Sequence, residues 1–487
     1  MMRREFDLVV VGAGPAGLAA ADEAARLGVS TALVDEQADI GGQIYRAISA
    51  SPLGDRRLLG ADYWHGAQLA ERFRASGAAH IPNATVWNIS SSLELDVSIE
   101  RRGASVGARE IILATGAMER PFPFLGWTRP GVMTVGAAQT LLKSTGAHLP
   151  GKVVLAGTGP LLWLLAAQYL RTGVGIEAIL DTTPRGNLRP ALRHAAGFLL
   201  SPYFRKGWSL LAEVLRWVPV ISNVTRLEAC GNGAIEEVAY TTGAGRSGRI
   251  GTQWLLIHQG VMPNVNAAMA IGCRHHWDDV QACFHPALGS WFESSVAGIS
   301  IAGDGAGIGG ARVAEASGRL AALAAAARLG AIDPRQRDRQ AKPHRRALRH
   351  WRAGRRFLDL LHRPQRAHRI PGDDIIVCRC EEVTAGDLRA AVELGCPGPN
   401  QAKAFLRCGM GPCQGRLCGL SVTEVMADAH GVAPGEIGHY RPRPPFKPVT
   451  LGEIAGFPTN DAAVRAVVRD LPPGLSGAEL LGPLAPR

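Results

Sequence analysis

The chain repeats a rhythm of short apolar runs, glycine turns and alanine- or leucine-rich stretches, which predicts strand, turn and helix in succession. The first unit, FDLVVVGAGPAGLAAADEAARLGVSTALVDE, reads as a strand over Leu8 to Val11, a glycine turn, a helix and a second strand ending at Asp35-Glu36. GKVVLAGTGPLLWLLAAQYLRTGVGIEAILDTTPR repeats the order from Gly151. Its stretch from Val153 to Leu170 nearly has membrane-spanning length, but the glycine turn inside it favours a buried strand and helix, and no transmembrane segment is expected. REIILATGAMERPFPFLGW and GISIAGDGAGIGGARVAEASGRLAAL add further strand and turn units, so the fold class is α/β.

Chemistry enters with the glycines. Gly12, Gly14 and Gly17 stand in G-x-G-x-x-G spacing directly after a strand, with Ala16 inside the turn. Gly12 permits a tight turn, Gly14 lets backbone approach a pyrophosphate, and Gly17 lets the helix lie close on the sheet. Asp35, 18 residues beyond Gly17, is placed to accept ribose hydroxyls, with Glu36 as its rival. The frame predicts an adenine dinucleotide. NAD and FAD share it, and the later segments favour FAD. The second unit keeps Gly157 and Gly159, has Leu162 in place of the third glycine, and ends its second strand at Asp181. NAD(P), ATP or no nucleotide all fit there.

Composition narrows the classes. At 487 residues, 46% hydrophobic and 20% charged, the chain is a folded protein of two to four units. Its net charge of +11 is local, because Arg335 to Arg369 holds 13 Lys/Arg against Asp338 and Asp359 and leaves the remainder neutral. No aromatic stacking platform accompanies it, so a helix and linker docking on acidic protein surface is expected, with membrane phosphates as the alternative, and not nucleic acid. The N-terminus runs straight into the first strand, which reads as cytoplasmic, with peripheral attachment at the inner membrane face through a complex. His258 is the best lone acid or base, with a satisfied core histidine as the alternative; His275-His276-Trp277 reads as an exposed loop. RPRPPFKPV, from Arg441, reads as an extended segment suited to wrapping a partner.

Six of nine cysteines fall between residues 378 and 418, a clustering that points to metal rather than disulfides. DDIIVCRCEEV is strand-like, so Cys378 and Cys380 should present both sulfurs on one side. Thr384 and Asp387 form a capping-box pattern, and Gly395 ends the following helix. LRCGMGPCQGRLCG is a glycine-rich turn whose N–H groups can reach sulfur, and Arg379, Arg407 and Arg416 would favour a negatively charged cluster. Zinc is the competing reading; Cys396, beside Pro397, reads as structural.

The Ala114-Thr115-Gly116 strand end and the Gly303-Asp304 turn resemble the two-dinucleotide-domain flavoproteins typified by glutathione and thioredoxin reductases. The resemblance implies that Ala114, Thr115 and Gly116 close over FAD. It also implies that Asp304 binds ribityl or phosphate oxygens, that the helix after Gly310 aims its N-terminus at the flavin, and that Gly41-Gly42-Gln43 run beneath it. No C-x-x-C follows the first unit, which excludes thiol-disulfide chemistry beside the flavin. Residues 374 to 430 resemble the bacterioferritin-associated ferredoxin-like 2Fe-2S domain. That pattern matches Cys378, Cys380, Cys413 and Cys418, with 32 residues between Cys380 and Cys413; Cys408 in place of Cys418 is the alternative, leaving 27.

Nearly the whole chain, including HQGVMPN from His258, resembles the larger flavoprotein subunit of heteromeric amine and amino-acid dehydrogenases. That family holds the A-type subunit of opine oxidase, the B-type subunit of hydrogen cyanide synthase, the alpha chain of D-hydroxyproline dehydrogenase and part of sarcosine oxidase alpha. The resemblance implies a smaller FAD-dependent beta subunit that oxidises an amino acid, opine or cyclic imino acid, a small third subunit, an interfacial FMN, and electron relay through flavin and a 2Fe-2S cluster in this chain. The alternatives are a self-contained NAD(P)H-dependent reductase and a non-catalytic assembly subunit. The expected organisation is an FAD domain over 1–145 and 253–330, an inserted second dinucleotide domain over 146–252, and a basic helix and linker over 331–372. A small α-rich 2Fe-2S domain over 373–435 and a proline-rich tail over 436–487 complete it.

Overall fold

The structure, a computed structural model, describes residues 4–455. Arg4–Val11 sits between two parallel neighbours, Thr31–Val34 and Arg102–Leu113, so Leu8, Val9 and Val10 are covered on both faces and fully buried. This first sheet has seven strands: Ala79–Ile81, Thr31–Val34, Arg4–Val11, Arg102–Leu113, Glu94–Ile99 and Ala84–Ile89 in spatial order, with Ile299–Ile301 parallel on the end of Arg102–Leu113. The C-terminal part of the chain thus returns to the first sheet.

Val220–Ser222, Ile176–Asp181, Val153–Thr158, Trp254–Gln259 and Val132–Thr134 make a second, parallel sheet in that order. Beside it lies an antiparallel sheet of Val224–Cys230, Glu237–Thr242 and Ser247–Gly251. The expected boundaries at 145 and 253 need correction, because Val132–Thr134 and Trp254–Gln259 both belong to the second sheet. The apolar run WLLI pairs residue for residue with Val153–Thr158 on one edge and meets Val132–Thr134 on the other, so its backbone is satisfied within the second sheet. A short ladder, Ala117–Glu119 against Val261–Pro263, carries the chain out to the second domain and back.

The basic segment forms the helices Pro334–Arg352, Arg355–Leu361 and Arg366–Arg369, and the first docks through Arg337 and Arg345, whose guanidiniums lie 4.2 and 4.3 Å from the centre of the Trp291 ring. His275-His276-Trp277 is not a loop: His275–Asp278 pairs with Cys283–Pro286, because the apolar partners Trp277 and Phe284 stack edge to face across the pair. The cysteine domain packs Ala385–Glu393, Pro399–Leu406 and Gly419–His430 around Leu388, Val422 and Val425, with the Thr384–Asp387 capping box in place. The tail is not free to wrap a partner between residues 440 and 446. Tyr440 is buried in the cysteine domain and Phe446 in the first domain, where its N–H donates to the Trp87 carbonyl. Of the expected tail, residues 456–487 lie outside the described residues.

Helix Pro15–Arg26 crosses helix Ala311–Arg328 so closely that a Cβ on Gly318 would sit 2.1 Å from the Ala16 carbonyl oxygen. Asp22, fully buried at this crossing, is held by Arg319 at 3.0 Å and Arg26 at 2.5 Å, and Arg319 also reaches Glu23 at 2.8 Å. Removing Arg319 leaves buried carboxylate charge without its main partner. Arg319→Met is expected to lower unfolding free energy by about 3 kcal/mol, measured by chemical denaturation, whereas the exposed Arg109→Met should change it by less than about 1 kcal/mol.

Candidate dinucleotide and cysteine site

One cavity of about 1790 Å³ runs from the first glycine turn toward the second. Gly12, Gly14, Ala16, Asp35, Glu36, Gly42 and Gln43 line it on one side, and Ala114, Thr115, Gly116, Gly303, Asp304 and Gly310 on the other. Gly17 lies behind the turn, where a Cβ would be 1.8 Å from the Gly12 carbonyl oxygen. At Gly14 a Cβ would meet no protein atom within 4 Å, so its bare backbone faces open cavity at the uncapped start of Pro15–Arg26. Asp35 accepts the Ala13 N–H at 2.5 Å and the Gln37 N–H at 2.7 Å, while burial raises its pKa. Glu36 instead pairs with Lys447 of the tail at 2.5 Å.

Asp304 accepts the N–H groups of Gly309 and Gly310, each at 2.8 Å, and so shapes the entry to helix Ala311–Arg328. Thr115 donates to the Asn264 carbonyl at 3.1 Å, which ties the strand end to the returning ladder. Lys143, on helix Val135–Thr145, escaped notice in the sequence. Its ammonium bonds the Gln43 and Ile44 carbonyls at 3.3 and 3.0 Å, and burial brings its pKa down to about 7. It fastens the Gly-Gly-Gln segment, and a lysine in an amphipathic helix carries no signal of that task.

Of the second set, Gly159 and Asp181 line the cavity, and the polar atoms around them are already engaged by neighbouring side chains. Asp181 accepts both the N–H and the hydroxyl of Thr183, at 2.9 and 2.6 Å. Gly157 lies beneath: a Cβ there would be 1.7 Å from the His258 carbonyl oxygen. His362, from the basic segment, is half-buried against Thr158 with 3.0 Å between ring nitrogen and hydroxyl, and desolvation pushes its pKa down to about 4. Asn187 and Gln365 hold the flanking backbone, the first on the Leu361 and Arg363 carbonyls, the second on that of Thr182. His258 is buried and 2.7 Å from Glu119, a partner the sequence did not suggest.

Five thiols converge in the cysteine domain. Cys378, Cys408 and Cys418 are buried with their sulfurs within 4.8 Å of one another. Cys413 lies against Cys418 and Cys380, and the contact with Cys418 contributes most to lowering its pKa, to about 5. The strand Ile376–Cys378 ends at its cysteine, so Cys380 projects from the turn beyond it, exposed, rather than side by side with Cys378 on one strand face. Cys408 and Cys418, followed by the Gly409 and Glu381 N–H groups, bring the Cys378 pKa down to about 2. Cys396 is buried apart, with its sulfur 3.6 Å from the Gly398 carbonyl. Arg416 and Leu417, between Cys413 and Cys418, also line the dinucleotide cavity, and Asn266 donates to the Gln414 carbonyl at 3.2 Å.

Residues 6–318 match the family described as pyridine nucleotide-disulphide oxidoreductase, and residues 375–457 match the sarcosine oxidase A3 domain. The chain is 45% identical to the A-type subunit of opine oxidase from Agrobacterium tumefaciens over 95% of its own length and 94% of that protein. It is 32% identical to hydrogen cyanide synthase subunit HcnB of Pseudomonas aeruginosa, over 93% of this chain and 98% of that one. In fold it is similar to L-proline dehydrogenase of P. horikoshii, with a TM-score of 0.67 at 18% identity over 93% of this chain and 80% of that one. Among the described residues no helix is long and apolar enough to cross a membrane. The two-domain cavity, the matched families and these relatives agree: the chain belongs to the pyridine nucleotide-disulphide oxidoreductase family, as an FAD-dependent oxidoreductase subunit of the alpha type found in opine oxidase and sarcosine oxidase.

Proposed function

We propose that this chain is the electron-relaying subunit of a heteromeric dehydrogenase for an amino acid, opine or cyclic imino acid, with the substrate oxidised on a smaller flavoprotein partner. One observation carries the reading: the loop that bears Cys413 and Cys418 is itself a wall of the dinucleotide cavity, through Arg416 and Leu417. The two redox sites are therefore neighbours within one chain. The names of the similar proteins, each a subunit of an oxidase or a synthase, support a partner.

FAD in the cavity and a 2Fe-2S cluster on the thiols would together supply storage and onward transfer of electrons. The chain's own residues do the holding. Gly14 and the helix start admit a pyrophosphate, Asp35 orients a ribose, Lys143 fixes the Gly42-Gln43 segment, and the Asp304 turn closes the far side. For the cluster we propose Cys378, Cys380, Cys413 and Cys418. The contacts of Cys413 with Cys380 and with Cys418, and of Cys418 with Cys378, support this set, with Cys408, which touches Cys378 and Cys418, as the competing ligand. Five thiols with converging N–H groups suit iron and sulfide. Against NAD(P)H as donor stand the already engaged polar groups of Thr158 and Asp181.

Gly14→Val should fold as the wild type does, since no protein atom is near the added side chain, yet retain less than about one tenth of the flavin, read from the absorbance of the purified protein. Ala at Cys378, Cys380, Cys413 or Cys418 should remove the iron, measured by metal analysis, whereas Cys408→Ala keeps it; the reverse outcome for Cys408 and Cys418 would change the ligand set. The purified chain should oxidise no amino acid and should not have its flavin bleached rapidly by NADH. Co-expression with the adjacently encoded flavoprotein should bring dye-linked oxidation of a D-amino acid, an opine or a cyclic imino acid, and activity in the single chain would refute the relay.

A further inference from the structure

The connection between Ile176–Asp181 and Val220–Ser222 in the second domain is a helical excursion that the dinucleotide frame does not need. Its helix Pro202–Leu215 buries Leu210 and Val214 toward the protein. The opposite face, at residues 205, 208, 212 and 215, should be polar on a water-facing helix. It carries Arg205, Trp208, Ala212 and Leu215 instead. Leu200 is 87% exposed, Trp208 68% and Trp217 67%, with Leu192, Leu199 and Leu215 exposed around them. Most of the large apolar side chains exposed on the second domain gather in this one excursion.

Cations surround it. Arg189, Arg193, Arg205 and Arg216 are exposed, and the Arg216 guanidinium lies 5.2 Å from the centre of the Trp217 ring. The single acid of the excursion, Glu213, is spent on Arg171 at 2.6 Å. The excursion abuts the end of the basic helix through Tyr203 against Trp351 and through Phe198 stacked at 4.3 Å on Phe357. Along that helix Arg335, Arg339, Lys342, Arg346 and Arg349 are exposed at alternating steps of four and three, which places them on one face. Among the described residues none of the five is ion-paired, and the helix's one acid, Asp338, is held by Arg337.

We propose that this surface docks the protein on an anionic lipid bilayer, with Leu200, Leu215 and Trp217 entering the headgroup and acyl boundary and the basic stripe lying against the lipid phosphates. Among the described residues, unpaired arginines stand among the exposed leucines and tryptophans, the neighbouring helix adds five more unpaired cations, and the one acid of each element is already paired. At a bilayer surface that mixture is favoured, because guanidiniums meet phosphate while apolar tips reach hydrocarbon. Since no described helix can span, the attachment is peripheral.

The test is flotation of the full chain with vesicles of phosphatidylcholine alone and of phosphatidylcholine with phosphatidylglycerol. Binding is expected to the anionic vesicles, at least about tenfold above the neutral ones, and to fall as salt rises. The triple variant Leu200→Ser, Leu215→Ser, Trp217→Ser and the charge reversal Arg339→Glu, Lys342→Glu, Arg346→Glu should each reduce it about tenfold or more while flavin and iron contents match the wild type. Equal binding to both vesicle types, no binding, or unchanged binding by the variants would overturn the proposal. So would a triple variant that loses a co-expressed partner subunit while the wild type ignores vesicles, which would make the surface a protein interface. Flavin and iron contents, read on the same samples, test the relay separately.

Discussion

The structure depends on the crossing of helix Pro15–Arg26 with helix Ala311–Arg328. These helices lie almost 300 residues apart in the chain, and the backbone of one touches the other where Gly318 has no side chain. The contact puts Asp22, Glu23, Glu315 and Arg319 into a shared, largely water-free space, where charge is tolerated only as a closed network. Everything between residues 26 and 311, including the whole second domain, is a loop closed by this crossing. It also sets the Asp304 turn opposite the first glycine turn, and the cavity is the gap that remains.

A second fastening joins the cysteine domain to the first domain. Tyr440 lies against Gly409, Gly415 and Gly419 of the cysteine turn, each of which lacks room for a Cβ beside its ring or its neighbours. Six residues later Phe446 is buried under the first sheet, and Lys447 pairs with Glu36 at the end of the second strand. The cysteine domain is thereby strapped over the cavity mouth by a short stretch of backbone. Residues 440 to 447 thus hold the cysteine domain against the first domain as a packed part of the fold.

The second domain shows a dinucleotide frame used differently. Leu162, fully buried where a third glycine would bring helix and sheet together, keeps Pro160–Arg171 apolar and well packed. The crevice above it holds His362, Thr158 and Thr183 in mutual hydrogen bonds, and His258 lies against the turn at Gly159, held by Glu119. These bonds are made among side chains of which Thr183, His258, Glu119 and His362 also border the cavity.

The sequence by itself determined what is local. The glycine spacing, the strands before it, Asp35 after it, the capping box at Thr384 and the cluster of cysteines are set by backbone geometry and by chemistry within a few tens of residues, and they were legible from it. The tertiary structure alone decided which sheet the run WLLI before HQGVMPN joins, because an apolar run of four fits either sheet until its hydrogen-bond partners are known. It decided that Cys408 stands among the other thiols, that Lys143 holds the Gly42-Gln43 segment, that Glu119 meets His258, and that Lys447 takes Glu36. Each is a contact between residues far apart in the chain, made by side chains whose types are common on any helix or loop. Such pairings depend on how whole domains close on one another, and no local pattern of residues encodes that closure.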